Sequence, residues 1–260
     1  MTLEQAFQLT SKLISIYLLL SGLEFFISFR KGLIQKIWSY ENLKQDLERG
    51  LPLPKSLMKK IFDENHFQWL CLLQTLVAVV NFWNPSLVLL LILFIIHILT
   101  CIRFRGTFNG GSDMMALVVL SGLLIYMLAE NWQVQRLGMI YIAIHTIYSY
   151  FKAGLAKVIH RDWITGRALP AFLERSVFLD IKKVSTFLNG KNFISWIACW
   201  IVLIFELAAI ALPFFRSWVW SYAVVAILFH FMVFILFGLN RFFWVWLSAW
   251  PATLLAFSIM

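Results

Sequence analysis

The chain has 260 residues, of which 61% are hydrophobic, 17% aromatic and only 13% charged, and its mean hydropathy is +0.81. That is more apolar surface than one soluble core of this length could hide, which excludes an ordinary soluble domain and predicts an all-α, polytopic transmembrane helical bundle. A net charge of +9 would suggest nucleic acid in a soluble protein. Here the basic residues cluster in the short segments between apolar runs, a pattern that reports topology and membrane lipids and no nucleic acid.

In chain order, a polar start leads into a first apolar span over 13–29, which carries Glu24 and has no basic leader or small-residue cleavage site before it, so it is expected to stay in the mature protein. A charged, amphipathic region over 30–65 follows, where LPLP at 51–54 stops one interfacial helix and 55–62 starts another. Spans two and three are expected over 66–82 and 87–102, joined by the turn NFWNPS, and His97 falls inside the third. After the glycine-rich RFRGTFNGGSDMM come span four over 114–128, a short loop, and span five from 137. The fifth runs into YFKAGLAKVIHRDWITGRAL at 150–169, where an apolar run passes into a short segment with two lysines, a histidine, two arginines, an aspartate and a tryptophan. LERSVFLDIKKV at 173–184 reads as one amphipathic surface helix. Spans six to eight then cover 193–215, 218–239 and 242–259, with Glu206 midway along the sixth and His230 within the seventh. Each run is close to the ~20 residues a bilayer needs, giving about eight spans in one domain over 1–260.

With that placement, 19 lysines and arginines fall in the loops after odd-numbered spans and three, Lys12, Arg136 and Arg216, on the other side. The asymmetry predicts both termini outside and the basic loops in the cytoplasm.

Ionisable residues at membrane depth are costly and need partners, which singles out Glu206, His97, His145 and His230. On a continuous fifth helix, Tyr141, His145, Tyr148 and Lys152 form one polar stripe, suited either to a cavity wall or to a satisfied helix interface. Lys157 lies at the apolar boundary, where a lysine either snorkels or becomes a base. The three cysteines, Cys71, Cys101 and Cys199, show no paired spacing and are read as small apolar residues. HExxH, CxxC, GxSxG and Walker patterns are absent, so metal, serine-hydrolase and nucleotide readings have no support.

AGLAK at 153–157, Trp163, Gly166 and Ala168 with Leu169 resemble the signature of the horizontally transferred transmembrane (HTTM) domain. NGGSD at 109–113 resembles that family's Asn-Gly-Gly turn. FEL at 205–207 and FH at 229–230, with Pro251 further on, resemble its later elements. The family includes the membrane part of the vitamin K-dependent gamma-carboxylase and a membrane protein that matures a sporulation-delaying peptide toxin. The resemblance implies a bacterial plasma-membrane protein with Lys157 as a base, and Glu206 and His230 in the same catalytic cavity. It further implies that Asn109, Asp113, His145 and Trp163 bind a reduced quinone or vitamin K-like isoprenoid, and that Asp113 or Glu206 pairs with Lys157. Gly110 stands where the carboxylase has a histidine, and the chain has no room for the carboxylase's large non-membrane domain. A small secreted peptide is the implied macromolecular substrate. The alternative is a non-catalytic partner for maturation, export or immunity of such a peptide.

Overall fold

The computed structural model describes residues 1–33, 38–104, 110–176, 179–189 and 192–258, and these are helices joined by short turns. Among the described residues, five helical segments are long and apolar enough to cross a membrane: Leu3–Arg30, Leu87–Phe104, Gly111–Leu128, Phe193–Ala211 and Arg216–Phe237. The chain is therefore an integral, multi-pass membrane protein whose outer faces contact lipid. The other three positions where the sequence predicts spans also hold helices, of 20, 27 and 19 residues. Two compact units make up the chain.

The first unit is Phe7–Gly138. It contains most of α1 (Leu3–Arg30), then α2 (Tyr40–Gly50), α3 (Lys55–Phe62), α4 (Glu64–Trp83), α5 (Leu87–Phe104) and α6 (Gly110–Leu128). Local chemistry sets the boundaries. Ser39 caps α2 by accepting from the Asn42 amide, Asp63 caps α4 through Asn65, and Ser86 restarts the chain after Pro85, which follows the end of α4. Buried polar side chains join α1 to α4: Asn81 Nδ2 donates to Ser11 Oγ at 3.1 Å and Ser15 Oγ at 2.9 Å, and Gln74 donates to the Leu18 carbonyl at 2.8 Å. In hydrocarbon such bonds replace the missing hydrophobic drive between helices.

The amphipathic helices α2 and α3 bury Tyr40, Leu43, Leu47, Met58 and Phe62 against Phe25, Phe29, Phe67 and Phe104. Their apolar faces are thus covered by the chain itself, and the two helices form a cap over helix ends. Arg103 sits at its centre with no exposed surface. Its Nη2 donates to the Trp38 carbonyl at 2.5 Å and lies 3.6 Å from Glu64, which in turn accepts from the Tyr40 amide. The rings of Phe29, Phe67 and Phe104 surround the guanidinium at 6.0, 5.9 and 5.6 Å.

The second unit is Met139–Met260 with Met1–Ala6. It comprises α7 (Trp132–Val158) from Met139 onward, α8 (Arg161–Ile164), α9 (Ala168–Glu174), α10 (Leu179–Asn189), α11 (Asn192–Ala208), α12 (Val219–Phe237) and α13 (Asn240–Ser258). The hairpin between α12 and α13 turns at Gly238, whose φ of +70° is left-handed and whose amide closes back on the Phe234 carbonyl.

Two expected boundaries differ. The stretch 173–184 is not one helix: α9 ends at Glu174, and Ser176 Oγ donates to the Leu236 carbonyl at 2.7 Å, so a contact from α12 holds the turn. The α-helical part of the sixth span ends at Ala208 and tightens into a 3₁₀ turn over Ala209–Ala211, short of the expected residue 215, because Pro213 cannot continue the helical ladder.

Candidate functional site

Lys157 lies in the last turn of α7, which continues unbroken through Gly154 to Val158. A cation is favoured at this end of a helix. Glu206 lies on α11 and is 3% exposed. The lysine Nζ donates to both of its oxygens, at 2.6 and 2.7 Å. Gly154, one turn before the lysine, permits this approach, since a Cβ there would lie 3.0 Å from the Glu206 Cβ and from the Leu207 backbone nitrogen. The pair is asymmetric: the lysine side chain keeps 24% of its surface exposed and the glutamate only 4%. Trp163, on α8, covers the ammonium with its ring 5.3 Å away. Two of the three Nζ protons are committed to Glu206, which leaves one for a further acceptor.

The loop that carries Trp163 is fixed to α11. Gly166 has φ +83°, and a Cβ there would lie 2.6 Å from the Trp196 Cα. Its carbonyl accepts from Ser195 Oγ at 2.5 Å, and Trp200 Nε1 donates to the Ile164 carbonyl at 3.3 Å. Here a glycine supplies both the left-handed turn and the close approach.

A second polar centre of this unit is built on Tyr150, two helical turns before Lys157. The Tyr150 hydroxyl and His230 Nε2 are 2.6 Å apart, and both residues are 3% exposed. The Tyr150 ring packs against Phe205, Tyr222, Trp246 and Trp250. Trp246 stacks on His230 at 4.9 Å and 13°. Tyr222 donates to the Phe205 carbonyl at 2.9 Å, which places that bond beside Glu206 in sequence.

A protein-family model, the HTTM domain, matches residues 122–257, just over half of the chain. The chain belongs to the HTTM domain family. No curated protein and no solved structure matches it. The HTTM match runs from α6 to α13 and so includes Lys157, Trp163, Glu206, His230 and His145, whereas Asp113 precedes it.

Of the residues singled out in sequence, the HTTM chain brings Lys157, Glu206 and Trp163 together, and Glu206, not Asp113, is the ion-pair partner of the lysine. His230 joins Tyr150. His145 is half-buried beside the Tyr141 ring, 4.5 Å away. Its stripe does not form a buried wall: Tyr148 is 54% exposed and Lys152 is exposed above the Tyr148 ring. Periodicity defines a helix face without saying which face is covered. Asp113, in the first turn of α6, is buried in the first unit, where Tyr17 donates to its Oδ1 at 3.0 Å and His97 Nε2 lies 3.0 Å from its carbonyl. Asn109 lies outside the described residues. Tyr150, Tyr222 and Trp246 were not singled out, because aromatic residues are too common in this chain to stand out. The signal for Tyr150 was its seven-residue spacing from Lys157, which puts the two on one face of α7.

Proposed function

We propose that this HTTM protein is an eight-span enzyme of the bacterial plasma membrane in which Lys157 acts as a base on a quinone-like or vitamin K-like isoprenoid, serving the modification of a small secreted peptide. The observation that carries the reading is the asymmetric pair: a buried Glu206 holds, through two short hydrogen bonds, an amine that remains a quarter exposed. An intramembrane carboxylate of this kind marks a working site by default. Passing a proton from Lys157 to Glu206 leaves a neutral amine and a neutral acid, a change that costs less in a water-poor site than in water. Trp163 offers a flat apolar wall beside that amine, and the aromatic cluster around Tyr150 offers more. A reduced quinone, when bound, supplies an oxidisable ring and a hydroxyl proton for a base to take. The charge asymmetry favours a cytoplasmic position for the Lys157 segment.

One feature favours the other reading, a non-catalytic partner in peptide maturation, export or immunity: both Glu206 oxygens are already bonded to Lys157, as in a purely structural tie. Extraction and mass analysis of the lipids that copurify with the protein separates the two. A redox-active isoprenoid supports the enzyme, and phospholipid alone supports the structural partner.

A further inference from the structure

The cap of the first unit holds a cavity of about 350 Å³, lined by Glu41, Lys44 and Glu48 of α2 and by Lys55, Ser56 and Lys59 of α3. Positions 41, 44 and 48 share one face of α2, as 55, 56 and 59 do on α3, so the two helices gather three lysines and two glutamates around one space. The place of the cavity in the fold says what surrounds it. The apolar faces of α2 and α3 rest on Phe25 and Phe29 towards the end of α1, Phe67 near the start of α4 and Phe104 at the end of α5. Since α1 and α5 are each long and apolar enough to cross a membrane, a cap over their ends lies at the level of the lipid headgroups.

The charges are unevenly committed. Lys44 Nζ is 3.8 Å from Glu41 and Lys55 Nζ is 3.1 Å from Glu48, while Lys59 has no carboxylate within ion-pair distance among the described residues. The pairs are loose on the lysine side: the Lys44 and Lys55 side chains keep 45% and 79% of their surface exposed, so both can turn towards an incoming anion. Glu48 is the opposite case. Its side chain is only 19% exposed, and its Oε1 has no hydrogen-bond partner among the described residues. If Lys55 leaves Glu48 for an anion, the carboxylate needs another N–H donor in its place.

We propose that this cavity binds the phosphoethanolamine headgroup of a membrane lipid, with its phosphate on Lys55, Lys59 and the Ser56 hydroxyl and its ammonium on Glu48. A ligand of both signs uses the whole lining. A simple anion is drawn by the lysines but takes Lys55 from Glu48 and returns no donor. A phosphocholine group carries the same two charges, yet its quaternary nitrogen has no N–H to give, so the carboxylate selects the ammonium through charge-assisted hydrogen bonds. None of these residues belongs to the Lys157 site, and the proposal holds whether or not that lysine is a base.

The test is native mass spectrometry of the purified full-length protein in detergent, titrated separately with dioleoyl phosphatidylethanolamine, phosphatidylcholine and phosphatidylglycerol. Wild type binds the ethanolamine lipid about 10-fold more tightly than either of the others, the worth of one charge-assisted hydrogen bond. Glu48→Gln removes that preference, and Lys59→Ala, at an exposed position, weakens all three lipids about 3-fold. Equal binding of the three lipids by wild type overturns the proposal, as does a preference for the ethanolamine lipid that survives Glu48→Gln. Soluble glycerophosphoethanolamine distinguishes the source of the headgroup: weak binding of it agrees with a lipid, and binding as tight as that of the lipid overturns the lipid assignment.

Discussion

Removing Lys157 strands the carboxylate of Glu206, whereas removing the charge of Glu206 leaves an amine with a route outward. That asymmetry follows from the side-chain exposures of 24% and 4%. Breaking a buried pair by deleting one member costs about 3–5 kcal/mol, and the partial exposure of the lysine places Lys157→Ala near about 3 kcal/mol. In Glu206→Gln the lysine can snorkel, and the amide retains one hydrogen bond, so the loss is about 1 kcal/mol. The double variant Lys157→Ala with Glu206→Gln no longer buries an unpaired charge, so it loses about 2 kcal/mol instead of the additive ~4. At roughly 2–4 °C per kcal/mol, the single lysine variant melts about 6–12 °C below wild type and the double variant about 4–8 °C below. Thermal unfolding in nonionic detergent, followed by fluorescence-detected gel filtration, reads these shifts. A double variant that loses the sum of the two single losses would refute the pairing argument.

Gly166→Ala combines a left-handed φ of +83° with a contact of 2.6 Å to the Trp196 Cα; a loss of about 2–4 kcal/mol is expected, visible as a lower melting temperature. Tyr150→Phe leaves His230 Nε2 without its partner and lowers stability by about 1–3 kcal/mol, whereas Tyr148→Phe, at an exposed position, shifts melting little. Arg103→Ala leaves Glu64 and the Trp38 carbonyl without the guanidinium and opens the α2 and α3 cap, at about 3–5 kcal/mol. In a background with Cys101 and Cys199 replaced by serine, Cys71, only 2% exposed, then becomes reactive to maleimide, and continued protection counts against the cap.

Much of this arrangement could be read from the order of residues. Apolar runs of near-bilayer length located the helices, and a glutamate midway along one of them signalled a partner, with Lys157 among the few cations able to reach it. The bidentate geometry depends on Gly154, whose missing Cβ lets α11 approach α7, and nothing in the spacing indicates which helix face meets which. Arg103 shows the same limit. In sequence it counts as a loop charge that reports topology, while in the fold it is fully buried among three phenylalanines. The amphipathic helices were correctly legible as amphipathic, but a moment records only that one face is apolar, and here aromatic residues of α1, α4 and α5 cover it. The break at Arg175 and Ser176 came from a long-range bond to Leu236, which local propensity does not encode.

In the proposed reaction the Lys157 amine, held by Glu206, works as a base on a quinone-like substrate. The most direct test is oxygen uptake by proteoliposomes supplied with reduced menadione, comparing wild type with Lys157→Arg, which keeps the charge and the ion pair but cannot release a proton near neutral pH. Oxygen uptake above that of empty liposomes in wild type, lost in a normally folded Lys157→Arg protein, is the predicted result. Equal uptake by both proteins contradicts it.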